Sequence, residues 1–70
     1  MSTVTIYTKT GCPYCAAAKK HYTDEGIAFT EVNVTEQPKE KETVLELTGG
    51  KAIVPVIVEN GNVQAGFGGG

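Results

Sequence analysis

Cys12 and Cys15 are the only cysteines in a chain of 70 residues, and they enclose a proline and a tyrosine: Cys12-Pro13-Tyr14-Cys15. A bridge across so short a loop removes little chain entropy. The pair therefore cannot staple a fold as the cysteines of small secreted scaffolds do. The chain must fold on a hydrophobic core alone, and a chain of this length buries only about 60% of its unfolded surface. Its 40% apolar and 20% charged residues are globular proportions. They predict one domain over residues 1–67, followed by a glycine tail at 68–70. The two cysteines then read as chemistry.

Other classes are excluded by charge and hydropathy. The net charge is −2 and there is no arginine, which argues against a broad nucleic-acid surface, because phosphate neutralisation needs clustered cations. The longest uncharged apolar run, around Ile53–Val58, falls far short of the roughly 20 residues of a membrane span. Met1-Ser2-Thr3-Val4 has neither the basic start nor the apolar core of a signal peptide. The expectation is a cytoplasmic monomer.

The flanking pattern gives the cysteines a local structure. Thr3-Val4-Thr5-Ile6-Tyr7 is β-branched and alternates with period two, so it reads as a strand. Lys9-Thr10-Gly11 forms a loop, and Pro13 suits the first position of a helix, which puts Cys12 at the N-cap. Gly26 ends that helix. Ile27–Val34 reads as a second strand whose phase slips between Phe29 and Val32, as at a bulge or bend. A second helix runs from Pro38 to about Thr48, with Val44, Leu45 and Leu47 as its apolar side and Gly49-Gly50 as its stop. Val54–Val58 is continuously apolar, as in a strand buried on both faces. Asn60-Gly61 signals a tight hairpin into a fourth strand through Val63, Ala65 and Phe67. The order β-α-β-α-β-β implies a right-handed parallel crossover and a closing antiparallel pair: a four-stranded mixed α/β sheet with both helices packed against it.

A cysteine reacts as its thiolate. At an N-cap it faces free backbone N–H groups and the positive end of the helix dipole, and Lys9 adds a nearby cation. The Cys12 pKa should therefore lie below the reference of about 8.5. Cys15, one turn inside the helix, should be more buried and less acidic. That asymmetry suits dithiol exchange, in which Cys12 attacks a disulfide and Cys15 displaces the product from the resulting mixed disulfide.

With Tyr7-Thr8-Lys9 before Cys12-Pro13-Tyr14-Cys15, then Val54-Pro55 and a glycine-rich end, the chain from Thr3 to about Phe67 resembles the dithiol glutaredoxins of the thioredoxin superfamily. The resemblance implies a minimal thioredoxin-like fold. It implies a cis bond before Pro55, a Val54 backbone that pairs with glutathione or a substrate chain, Lys9 and Lys51 as cations for a glutathione carboxylate, and Tyr14 beside the reactive sulfur. Gly66 belongs to the same binding set. No cofactor is implied as tightly bound; glutathione is the implied co-substrate, and disulfide-containing proteins are the implied partners.

The sequence departs from that family after the fourth strand, where no acidic or hydroxyl residue for the γ-glutamyl end and no third helix follow. Ala65-Gly66-Phe67 also resembles the Ser-Gly-Phe of glutaredoxin-like electron donors for ribonucleotide reductase, which thioredoxin reductase recharges. Glutathione and thioredoxin reductase both stay open as reductant. The alternative of a different class is a [2Fe–2S] carrier, with Cys12 and glutathione thiolates bridging a dimer.

Plainer readings cover the rest. A zinc site needs about four ligands, and His21, nine residues after Cys12, lies about 900° around the helix and so on its opposite side. His21, Lys19 and Lys20 read as a solvated face, Tyr7 as core, and Lys39–Glu42 as an exposed turn of alternating charge. The closing glycines are no phosphate loop, which needs a following helix.

Overall fold

In a computed structural model that describes residues 4–51 and 53–67, the chain runs β1 (Val4–Thr8), α1 (Pro13–Asp24), β2 (Thr30–Asn33), α2 (Glu40–Thr48), β3 (Val56–Glu59) and β4 (Asn62–Ala65). Thr3 and the expected tail at 68–70 lie outside the described residues. The four strands form one mixed sheet in the order β2-β1-β3-β4. β1 pairs parallel to β2 and antiparallel to β3, and β3 pairs antiparallel to β4. The parallel crossover thus holds for β1-α1-β2 only. The second helix joins strands that run in opposite directions on either side of β1.

The period-two pattern of β1 splits the interior. Val4 and Ile6 are buried with Ala18 of α1 and Ile57 of β3, and Tyr22, Phe29 and Phe67 pack around them. Tyr7, on the opposite face, packs with Val34, Val44 of α2 and Val56, joined by Leu47 and Val58. The helices therefore cover opposite faces of the sheet. Successive residues of β3 serve both cores, Val56 one and Ile57 the other, which is why that segment carries no polar alternation.

Several expected boundaries shift. Ile27, Ala28 and Phe29 precede β2 instead of opening it; Ile27 is exposed, and only Phe29 turns toward the α1 core. The slip in phase marks the passage from loop to strand. Pro38 and Lys39 form a turn before α2, where Glu40 N–H donates to the Gln37 carbonyl and Lys41 N–H to that of Pro38. Glu40 and Glu42 then occupy the first helical turn, where the dipole favours acidic groups. Leu45, expected on the apolar side of α2, is 40% exposed. The strand expected from Val54 begins at Val56, and the one expected to reach Phe67 ends at Ala65. Asn60 and Gly61 both adopt positive φ, 51° and 83°, as the two-residue hairpin turn requires.

Asn33 ends β2 and ties two loops together. Its Oδ1 accepts from the N–H groups of Thr35 and Glu36, closing an Asx turn. Its Nδ2 donates to Thr10 Oγ1, while Thr10 N–H donates to Thr35 Oγ1. The loop that precedes α1 is thereby held to the loop that precedes α2.

Ile6 is fully buried and Leu45 is not. Ile6→Ala is expected to cost about 2–5 kcal/mol, while Leu45→Ala stays within about 0.5 kcal/mol. Urea unfolding midpoints of the two variants check the difference.

Candidate active site

β1 delivers the chain to the N-terminal end of α1 through a short loop. Gly11 takes φ 83° there, and the Cys12 N–H donates to the Lys9 carbonyl at 3.2 Å. Cys12 has extended dihedrals (φ −88°, ψ 113°) at the N-cap, and Pro13 opens the helix, as the sequence predicts. The two cysteines consequently stand in different surroundings. Cys12 is half-buried, whereas Cys15 is 2% exposed and sits against the core.

That placement separates their acidities. Burial works against a charged Cys12, but the Cys15 thiol, the backbone N–H groups of Cys15 and Tyr14, and the charge of Lys9 outweigh it and hold the Cys12 thiol below its ordinary value. Burial pushes the Cys15 thiol up to about 11, and its hydrogen bond to Cys12 adds to the effect; a backbone hydrogen bond from Lys9 and the Lys19 charge recover only part. An accessible sulfur that ionises readily, beside an inner sulfur that keeps its proton, is an arrangement suited to thiol–disulfide exchange.

The other expected site residues divide into those that meet the cysteines and those that do not. Lys9 is exposed and lines the cleft that both cysteines border, together with Thr8, Thr10, Gly11, Lys19 and Glu31. Tyr14 is 42% exposed next to Cys12. The Val54–Pro55 bond is cis, Pro55 is buried, and Gly66 N–H donates to the Pro55 carbonyl at 2.8 Å with φ 89° at Gly66. Gly66 thus holds the end of β4 against the Val54–Pro55 segment. Lys51 is exposed at the end of α2, where its N–H donates to Thr48 Oγ1, and its side chain lines neither groove that Lys9 lines.

Two features escape a linear reading. The second groove beside Lys9 is lined by Val34, Lys41, Val44, Leu45 and Val54. Lys41, read as part of an ordinary charged turn, faces the same groove as Lys9 and Val54, and exposed Leu45 forms its apolar wall. The other feature is a chain of polar contacts. Glu31 Oε2 accepts from the buried Thr8 hydroxyl at 2.8 Å and from Lys19 Nζ at 3.0 Å. The Thr8 hydroxyl first, then Lys19, hold the Glu31 carboxyl below the usual carboxylate range against a smaller effect of burial. The only sequence signal for this chain is that Lys19 stands four residues after Cys15, hence on one helix face. His21 is exposed, with its ring 5.5 Å from that of Phe67 and 5.4 Å from that of Tyr22.

Comparison with known proteins agrees with this geometry. The family model for Glutaredoxin matches residues 4–64. The chain is similar to the glutaredoxin-like protein NrdH of Lactococcus lactis subsp. cremoris, with 39% identity over 64 residues that cover 91% of this chain and 86% of that one. It is 29% identical to glutaredoxin 3 of Escherichia coli over 84% of this chain and 71% of that one. Among solved structures, a glutaredoxin from Archaeoglobus fulgidus superposes with TM-score 0.83 and 26% identity, over 99% of this chain and 79% of that one. The glutaredoxin-like NrdH-redoxin from Escherichia coli, described as having a thioredoxin-like activity profile, superposes with TM-score 0.79 and 29% identity over 93% and 83%.

Three outcomes follow from the electrostatics. In Cys12→Ser the Cys15 thiol loses the neighbour that disfavours its ionisation and should titrate below about 11, while Lys9→Glu should raise the Cys12 value; ultraviolet thiolate absorbance against pH reads both. Glu31 is held below its unfolded value, so its contribution to stability is present above the ordinary carboxylate range and fades as pH falls through the folded value. Thermal melts should accordingly show Glu31→Gln less stable than the parent at neutral pH, with the gap closing in acid.

Proposed function

The chain belongs to the glutaredoxin family, thiol–disulfide oxidoreductases of the thioredoxin superfamily, and we propose that it reduces protein disulfides, drawing its electrons from thioredoxin reductase. The observation that carries the reading is the pair of unlike thiols on one helix end: Cys12 accessible and inclined to ionise, Cys15 buried and protonated. Cys12 is the nucleophile. Its thiolate attacks one sulfur of a substrate disulfide, the substrate's other sulfur leaves as a thiolate, and a mixed disulfide forms at Cys12. Cys15 then gives up its proton and attacks the Cys12 sulfur. A Cys12–Cys15 disulfide forms, the second substrate thiolate leaves, and two electrons have passed to the substrate.

The groove beside Lys9 and Val54 is the proposed seat for the chain flanking the substrate disulfide. Its apolar wall of Val34, Val44 and Leu45 and its two cations, Lys9 and Lys41, suit an apolar segment that carries a carboxylate. Glutathione, with its carboxylates, is the competing occupant. Support for thioredoxin reductase comes from the likeness to an NrdH-redoxin described as having a thioredoxin-like activity profile, from the Ala65-Gly66-Phe67 segment, and from Lys51, expected as a glutathione cation, which stands apart from the grooves that Lys9 lines.

Cys12→Ser is expected to abolish all exchange. Cys15→Ser should still reduce a glutathione mixed disulfide but lose reduction of a protein disulfide, since only the second reaction needs an internal second thiol. Wild-type protein offered thioredoxin reductase with NADPH should turn over a disulfide substrate faster than with glutathione and glutathione reductase. Turnover with the glutathione system alone would reverse the assignment of the reductant. Full protein-disulfide reduction by Cys15→Ser would reverse the assignment of the two cysteines. No helix among the described residues is long and apolar enough to cross a membrane.

A further inference from the structure

The resolving step of that reaction poses a problem of charge. Cys15 must become a thiolate in a place where burial opposes ionisation. The residues that line one cleft with it are Lys9 in the loop before α1, Cys12 at its N-cap, Thr8 on β1, Glu31 on β2 and Lys19 one turn further along α1. Once Cys12 is tied up in a mixed disulfide it carries no charge. The charges left on the cleft wall are those of Lys9, Lys19 and Glu31.

Lys19 is not a free surface lysine. Its ammonium is held at 3.0 Å by Glu31 Oε2, and that oxygen is anchored in turn by Thr8 Oγ1 at 2.8 Å. Thr8 is 1% exposed and belongs to the central strand. Lys20, its neighbour in sequence, points elsewhere and pairs with Asp24 on the open face of α1. A pair of exposed charges generally contributes little to stability, so folding alone gives no strong reason for a three-part anchor at the mouth of the cleft.

We propose that Lys19, fixed by the Thr8–Glu31 anchor, is a positioning residue for the resolving step, its ammonium favouring the negative charge that develops on Cys15 as that thiol attacks the mixed disulfide at Cys12. Lys19 touches neither the substrate nor the reacting bond and acts through Cys15. The step itself is unchanged: the Cys15 proton leaves to solvent, the Cys12–Cys15 bond forms, and the substrate thiolate departs. A separate observation agrees in direction, since the Lys19 charge draws the Cys15 thiol downward against burial. The inference rests on the proposed roles of the two cysteines, and one experiment tests each separately.

Reduced protein is mixed with an aromatic disulfide whose released thiolate is coloured. The first equivalent of colour reports attack by Cys12 and depends on reagent concentration. The second reports resolution by Cys15 and does not. Absence of the second phase in the parent protein, or its survival in Cys15→Ser, would count against the assigned roles and say nothing of Lys19. Given two phases, Lys19→Met should slow the second about three- to tenfold at neutral pH and move its pH midpoint up by about half a unit to one unit. The rate plateau at high pH and the first phase should stay as they were. Lys19→Arg keeps the charge and should restore the parent profile. Lys20→Met removes the same charge from the open face and should alter neither phase. The proposal is overturned if Lys19→Met leaves the midpoint in place, if it lowers only the plateau, or if Lys20→Met moves the midpoint as far.

Discussion

Strand β1 pairs on both sides, parallel to β2 and antiparallel to β3, and every other feature takes its position from it. A central strand has no free edge, so its backbone groups are satisfied along its length. Its alternation assigns Val4, Ile6 and Thr8 to the face under α1 and Tyr7 to the face under α2. Because β1 ends at Thr8 and α1 begins at Pro13, the end of the strand fixes where the helix starts. The reactive loop thus links the end of the central strand directly to the helix that covers it. Asn33 and Thr10 brace that path from the side.

The difference between the two thiols follows from this geometry more than from the cysteines themselves. Only Pro13 and Tyr14 separate an N-cap position, open to solvent and to free N–H groups, from a position that faces the sheet. Burial acts on both sulfurs in the same sense. Only Cys12 has enough hydrogen-bond donors to reverse it. The proposed reaction uses that imbalance twice, first to attack and then to let the inner thiol complete the exchange. The polar chain from Thr8 through Glu31 to Lys19 lies on the same face as Cys15 and on the opposite face from Tyr7 and α2. The proposed substrate groove and the proposed charge anchor therefore lie on different sides of the reactive loop, and Lys9 borders both.

The order of elements, the N-cap placement of Cys12, the stop at Gly26, the hairpin at Asn60-Gly61 and the unequal thiols are all legible along the chain. Each rests on local chemistry: a proline that suits a first helical turn, glycines that tolerate positive φ, alternation that suits one buried face, and a helix end that favours an anion. Local rules were weaker where an element's limits depend on its neighbours. Ile27–Phe29 carry strand-like residues yet stay outside β2, since the β1–β2 pairing begins at Thr5 and Thr30. Leu45 looks like a core residue on a helical wheel but faces a groove that Lys9 and Val54 border. Packing of the elements placed some lysines beside the reactive loop and others away from it. Lys51 is nearer in sequence to Val54 yet stands apart from the groove, while Lys41, thirteen residues before Val54, reaches it because α2 folds back across the sheet. Lys19 meets Glu31 because the parallel β1–β2 pairing brings Glu31 beside the central strand, on the face where α1 lies. Periodicity says which face of an element a residue occupies; only the packing of the elements says what that face meets.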